Sequence, residues 1–194
     1  MILPSHETER FYRIWWPLLR YINAQRRLMP DLPASPAAGS LPPSEVVKVR
    51  DALWADDALR ERFISQNPAG LPPADLELVA SWRYRLSGKF FALKHLKKHS
   101  IFLHQAKGQP ARAYGVLGLI SPLSDVVGSH LPVMVEAVLL PFEDKITYDS
   151  LMQPYRIYFG PGIRANLNND YRDAQEREGI ITSLLPAAEA LTDE

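Results

Sequence analysis

The segment YFGPGIRANL, residues 158–167, has the residue types and spacing of an anion-binding turn. An apolar run ends at Gly160 and a helix-like pattern follows Pro161, which predicts a strand, a turn and a helix in that order. Backbone N–H groups at the start of such a helix, together with its positive dipole end, can hold an anion. Gly160, Gly162 and Arg164 are therefore candidate anion-binding residues.

The same turn also has a purely architectural interpretation, which the sequence favours. Gly160 then serves as the N-cap, Pro161 takes the first helical position, and Gly179 ends the helix. Gly160, Gly162 and Ala165 also match the spacing of a dinucleotide-binding loop, but that loop opens a long parallel βαβ domain with an acidic residue about 20 positions further on. The preceding runs look antiparallel instead, so no cofactor is predicted, and we expect the two glycines to serve backbone geometry.

A second candidate is a basic segment without a single acidic residue between Glu77 and Asp125. Aromatic residues are interleaved with its cations, a combination that binds single-stranded nucleic acid through phosphate contacts and base stacking. In the competing interpretation the aromatic residues are core, and the cations form a solvated face that pairs with acids of the C-terminal third. The candidate nucleic-acid-binding residues are Arg83, Arg85, Lys89, Lys94, Lys97 and Lys98.

Three histidines lie within this segment, yet they do not predict a metal site. On a strand His95 and His99 share a face, whereas His104 has the opposite parity. The surrounding lysines would repel a cation, and no carboxylate lies nearby in sequence. We therefore predict no metal site.

No catalytic residue can be identified from the remaining polar residues. Two pairs supply the residue types of a catalytic triad, but no nucleophile-elbow pattern surrounds either serine. Three carboxylates could meet in space as an acid–base pair, which the sequence leaves open, although Glu136 within VMVEAVLL is typical of the solvent face of a half-covered strand. These residues are Ser124-Asp125 and Ser129-His130 for the triad types, and Glu136, Glu143 and Asp149 for the carboxylates.

Bulk composition excludes several classes of function. The chain has 194 residues, of which 22 are basic and 22 acidic, so no net charge steers it toward nucleic acid or an anionic membrane. It contains no cysteine, which removes disulfides and thiolate sites. The start MILPSHETER lacks the pattern of a signal peptide, and no apolar run is long enough to span a bilayer. We expect a cytoplasmic protein without a membrane span, of undetermined oligomeric state.

Three segments are expected along the chain. Residues 1–28 predict an N-terminal amphipathic helix that docks on the core, with Pro17 kinking it or starting a second helix. Residues 29–43 contain five prolines and predict a linker. Residues 44–194 predict a single domain.

The predicted fold class is α+β. Helical patterns dominate up to Gly88, and short apolar runs from there to residue 159 predict an antiparallel sheet or partly closed barrel of about six strands. A C-terminal helix over 161–178 should pack on that sheet. Its apolar stripe consists of Ile163, Leu167, Tyr171 and Ala174.

The runs LLPFEDKITYD, YFGPGIRANL and YRDAQEREGIITSL resemble a family of bacterial proteins of unknown function. That resemblance implies no catalytic residue. The leading interpretation is therefore a non-catalytic binding module with a protein or nucleic-acid partner. The alternative is an enzyme that acts on a phosphorylated or other anionic small molecule through the 160–164 turn.

Overall fold

The structure is a computed structural model that describes residues 1–29, 32 and 43–186. It confirms the α+β class, with four helices before the sheet among the described residues and a C-terminal helix after it. The predicted linker at 29–43 lies almost entirely outside the described residues. The helices and strands, in chain order, are α1 Ser5–Arg26, α2 Pro43–Ala55, α3 Asp57–Gln66, α4 Pro73–Ser81, β1 Leu86–His95, β2 Ser100–His104, β3 Arg112–Val116, α5 Leu123–Val127, β4 Val133–Phe142, β5 Lys145–Pro154 and α6 Pro161–Glu178.

The five strands form one mixed sheet that curls into a ring in the order β1-β2-β3-β5-β4. Neighbouring strands pair antiparallel, except that β3 and β5 meet in a single parallel bridge between Val116 and Ile146. The ring is therefore thin at this seam, as a partly closed barrel would be. Long strand β1 makes closure possible because its first part pairs with β4 and its second part with β2.

The main core fills the space between the inner face of the ring and the N-terminal helices. The apolar stripe of α1 is buried as predicted, and α1 continues through Pro17 as one helix. Three indole rings form the centre of this core: Trp15 stacks on Trp54 at 5.8 Å and meets Trp82 edge-on at 5.7 Å between ring centroids. Such pairs add to the stabilisation that burial of the rings already provides.

A second, smaller core lies between α6 and the outer face of the ring. Leu167, Tyr171 and Ala174 of α6 are buried against residues of β1, β2 and β3. The fourth residue of the predicted stripe, Ile163, is 50% exposed, so the stripe is one turn shorter than the sequence predicted. The barrel residues of this second core are Leu93, Ile101, Leu103 and Ala113.

The segment YRIYFG, residues 155–160, was expected to be a strand and is not one. Strand β5 ends at Pro154, and Tyr155 N donates one further hydrogen bond of 2.8 Å to Met134 O of β4. Ile157 N then bonds to Tyr155 O at 2.9 Å, which turns the chain away from the sheet. The sheet consequently has one strand fewer than expected, and residues 155–160 connect it to α6.

Candidate functional site

A groove of about 380 Å³ lies where the 155–160 segment meets the start of α6. We call it the junction groove. One wall comes from the connection between α5 and β4, and the other from the segment that follows β5. Its lining combines apolar side chains with three basic ones and includes no carboxylate. The lining residues are Val127, His130, Pro132, Val133, Pro154, Tyr155, Arg156, Ile157, Tyr158, Phe159 and Arg164.

Two aromatic residues fix the wall formed by residues 155–159. Tyr155 donates a hydrogen bond to Glu136 Oε2 of β4, and the ammonium of Lys89 lies 5.3 Å from the centroid of the Tyr155 ring. Phe159 packs edge-on against Phe91 of β1, with ring centroids 5.5 Å apart. The residues between these two anchors are exposed, and Tyr158 is 95% exposed.

The start of α6 gives the groove a positive end. The helix has 18 residues, no side-chain cap and no acidic residue in its first turn. Arg164 instead folds back over this end, where its Nε donates a 2.9 Å hydrogen bond to Phe159 O. Because the helix dipole and the guanidinium have the same sign, an anion bound here would be stabilised by both.

The architectural interpretation is confirmed for the two ends of α6, since Gly160 is the N-cap, Pro161 takes the first helical position and Gly179 is the C-cap. Neither Gly160 nor Gly162, however, has a backbone conformation that requires glycine. Gly160 has φ −68° and ψ 169°, an extended conformation that any residue preceding a proline adopts readily. A Cβ atom built on either glycine would meet no atom within 4 Å. What the two glycines do is leave the approach to the first turn of α6 free of side chains.

The basic segment does not form one continuous face. Arg83 bonds to the neighbouring Tyr84 hydroxyl at 2.7 Å, and Arg85 is tied to Asp57 at 2.9 Å and to Trp54 O at 3.1 Å. Lys94 lies on the Tyr171 ring of α6, at 4.5 Å. Lys97 and Lys98 are exposed in the turn after β1. None of the six candidates lines the junction groove, although Lys89 contacts Tyr155, which does.

The three histidines have separate partners. His95 is bonded to Ser100 Oγ at 2.8 Å and to Gly128 O at 3.1 Å, and His104 to Lys89 O at 3.0 Å. His99 packs against Gly115. Among residues 1–29, 32 and 43–186 no group of three or more metal-ligating side chains is placed to hold an ion.

The candidate carboxylates are likewise dispersed. Glu136 bonds to Tyr155, and Glu143 pairs with Arg10 of α1. Asp149 is fully buried in a β5 bulge where Ser150 has φ 65°. Of the triad residue types, only His130 lines the junction groove. The dyad that the sequence left open is therefore not assembled.

Among the described carboxyl groups, that of Asp149 has the pKa that departs most from its ordinary value. Its Oδ2 accepts hydrogen bonds from Arg50 Nη1 at 3.1 Å and from Trp54 Nε1 at 2.8 Å, and Leu151 N donates to Oδ1 at 3.3 Å. Burial raises the pKa of Asp149 to about 6, although Arg50 and Trp54 act to lower it. Through Arg50 and Trp54, Asp149 ties α2 to the barrel. These two donors line a cleft of about 330 Å³ together with Glu136, but Asp149 is not part of that lining.

Sequence reasoning missed Arg156 and Tyr158 as candidate binding residues. Both lie in YRIYF, which was interpreted only as a strand. The signal in the sequence was the alternation of residues along YRIYF. Tyr155 and Phe159 occupy odd positions and face the barrel, whereas Arg156 and Tyr158 occupy even positions and are exposed. A strand-like segment whose outward residues are a cation and an aromatic ring is a candidate contact surface even when it forms no ladder.

Neither a family model nor a curated protein nor a solved structure matches this chain. The resemblance to bacterial proteins of unknown function therefore stays a prediction. No helix within the described ranges is both long and apolar enough to cross a membrane. The junction groove consequently has to be interpreted from its own chemistry.

Proposed function

We propose that this protein is a non-catalytic binding module, and that its junction groove receives an acidic segment of a partner protein. One observation carries the proposal: the groove is mostly apolar, its charged side chains are all basic, and no carboxylate lines it. A partner segment with an apolar anchor side chain flanked by Asp or Glu would complement both features.

The rim of the groove favours a protein over a nucleic acid. Ile157, Tyr158 and Ile163 are 46%, 95% and 50% exposed, although large apolar side chains are normally covered. Exposed tyrosine and arginine side chains next to an apolar pocket are typical of the residues that dominate protein–protein binding energy. Nucleobases would stack on Tyr158, but aliphatic side chains such as Ile157 offer them no stacking surface.

The alternative, an enzyme acting on an anionic small molecule, needs its acid–base groups in the same cleft as Arg164. The groove lining contains Arg164 and His130 but neither Glu136 nor Asp149. We therefore place binding before catalysis, and we retain Gly160, Gly162 and Arg164 as the part of the site that would face the partner's carboxylates.

Selection from a random peptide library on the immobilised protein tests this proposal. Enriched peptides should carry acidic residues around an apolar one, because only that combination satisfies both parts of the groove. Their affinity should fall at least about tenfold for Tyr158→Ala, as for a tyrosine whose ring becomes buried when the partner binds. Arg164→Gln should weaken them and reduce the salt dependence of binding.

The matched control is Arg172→Gln, which removes an exposed arginine from the same helix without touching the groove. Equal losses in Arg172→Gln and Arg164→Gln would show nonspecific charge attraction and contradict the proposal. Enrichment of peptides without acidic residues would contradict it as well. Titration with oligothymidylate separates the two macromolecules, since tighter binding of the oligonucleotide than of every selected peptide would favour nucleic acid.

A further inference from the structure

A second, smaller cleft of about 210 Å³ lies between the β1–β2 turn and the β4–β5 turn. We call it the turn cleft. Lys98 and His99 contribute from the first turn, Asp144 and Lys145 from the second, and Thr182 from the segment after α6. None of these residues lines the junction groove.

The imidazole of His99 is held in an unusual position. It lies so close to Gly115 of β3 that a Cβ atom there would be 2.9 Å from the ring. Its Nε2 is buried and has no hydrogen-bond partner within the described residues. Burial, and to a smaller extent the charge of Lys98, lowers the pKa of His99, so the ring is neutral at neutral pH. A neutral ring in the appropriate tautomer has one N–H to donate.

The charged side chains around the His99 ring differ in whether they already form ion pairs. Lys145 forms ion pairs with two carboxylates, with Glu7 of α1 at 2.9 Å and with the neighbouring Asp144 at 3.3 Å. Lys98 is exposed and forms no ion pair with any described residue. Asp144, the one carboxylate in the lining, is 85% exposed and can turn outward into water. The cleft thus combines a free cation, a fixed cation, a hydroxyl group and an imidazole.

We propose that the turn cleft binds a small oxyanion, either free phosphate or the phosphate group of a monoester. Lys98 would balance the charge, together with Lys145 once Asp144 has turned outward, and Thr182 and His99 would donate hydrogen bonds to the phosphate oxygens. The volume fits this ligand class because it is smaller than the roughly 300–1,000 Å³ of sites for larger organic molecules. This site is independent of the junction groove and of the function proposed for it.

Titration with sodium phosphate, followed by amide and imidazole NMR shifts at an ionic strength held constant with sodium chloride, tests the proposal. Saturable shifts should appear at His99, Gly115 and Thr182, with a dissociation constant in the millimolar range. Lys98→Gln should weaken binding up to about fivefold, as expected for an exposed charge contact. Lys97→Gln, in the same turn but outside the cleft lining, should leave the constant unchanged.

A second variant tests the imidazole. Gly115→Ala forces the His99 ring to move, so phosphate shifts should be lost while the dispersion of the sheet amides is retained. If Gly115→Ala does not fold, Thr182→Val carries the same test on the hydrogen-bond donors. Glycerol 3-phosphate separates the two sources, because tighter binding than phosphate identifies a monoester and weaker binding identifies the free ion. Non-saturable shifts, or equal weakening by Lys97→Gln and Lys98→Gln, would overturn the proposal.

Discussion

Arg50 and Arg164 show two opposite uses of the same side chain. Arg50 of α2 is only 14% exposed, and its guanidinium contacts two carboxylates, those of the buried Asp149 at 3.1 Å and of Asp51 at 2.7 Å. Arg164 of α6 makes one hydrogen bond to a backbone carbonyl and no ion pair with any described residue. The first arginine is committed to the fold, whereas the second is available to a ligand.

The difference follows from desolvation. A buried guanidinium and carboxylate have both lost their water, so removing one partner leaves an uncompensated charge in the interior. An arginine at the rim of an open groove keeps its hydration and loses little when it is replaced. The structural role of an arginine is therefore decided by the burial of its partner, and three experiments test this difference between Arg50 and Arg164.

The largest effect is expected from the paired substitutions Arg50→Met and Arg164→Met. Arg50→Met should lower the free energy of unfolding by about 3–5 kcal/mol, because the carboxylate of Asp149 is left buried without its cation. Arg164→Met should change it by less than about 0.5 kcal/mol, as for an ordinary surface position. Urea unfolding at neutral pH measures both. Similar losses of unfolding free energy in the two variants would contradict the proposed difference between Arg50 and Arg164.

An intermediate effect is expected from pH. Burial raises the pKa of Asp149 to about 6 from an ordinary value of 3.8, so between these values the folded state binds more protons than the unfolded state. The free energy of unfolding contributed by this group should therefore fall as pH rises through that window, by about 3 kcal/mol at most.

The measured quantity is the difference in the free energy of unfolding between wild type and Asp149→Asn at each pH. The variant has no titrating group at position 149, and the contributions of the other carboxyl groups cancel in the difference. Wild type should lose stability relative to Asp149→Asn from about pH 4 to neutral pH. Arg164→Met should follow the wild-type profile throughout. If the difference in the free energy of unfolding between wild type and Asp149→Asn does not change with pH, the pKa of Asp149 is the same in the folded and unfolded states.

The smallest effect concerns the glycines at the two ends of α6. Gly162→Ala should raise the free energy of unfolding by about 0.5–1 kcal/mol, because the position is helical and a Cβ has room. Gly179→Ala should lower it by about 1–2 kcal/mol, since Gly179 has φ 75°. Thermal unfolding of both variants checks this. Destabilisation by Gly162→Ala would mean that the start of α6 is strained and that its glycine serves the fold after all.

Periodicity and turn residues in the sequence were sufficient to predict most of the helices and strands. The stripe of α1 predicted its buried face, and the prolines and glycines at Pro161 and Gly179 predicted both ends of α6. Short runs separated by turn residues predicted the mainly antiparallel sheet. These signals are local, since each depends on residues a few positions apart, and a local signal survives whatever the tertiary arrangement is.

The sequence alone was not sufficient to predict which charged residues form ion pairs within the fold. Arg85 and Lys98 carry the same charge in the same basic segment, yet Arg85 is tied to Asp57, 28 positions earlier, while Lys98 remains without an ion pair in the described chain. Likewise nothing local shows that Asp149 would meet Arg50, which lies 99 positions away.

The amino-acid sequence alone was sufficient to predict the α+β class and the succession of N-terminal helices, sheet and C-terminal helix. The folded structure was needed to show which aromatic rings are core and which, like Tyr158, lie at the rim of a groove, and which cations form no ion pair with a described residue. The physical reason is that burial and ion pairing depend on contacts between distant parts of the chain, formed only when the ring closes and α6 docks. The junction groove exists because residues 155–159 leave the sheet at that point.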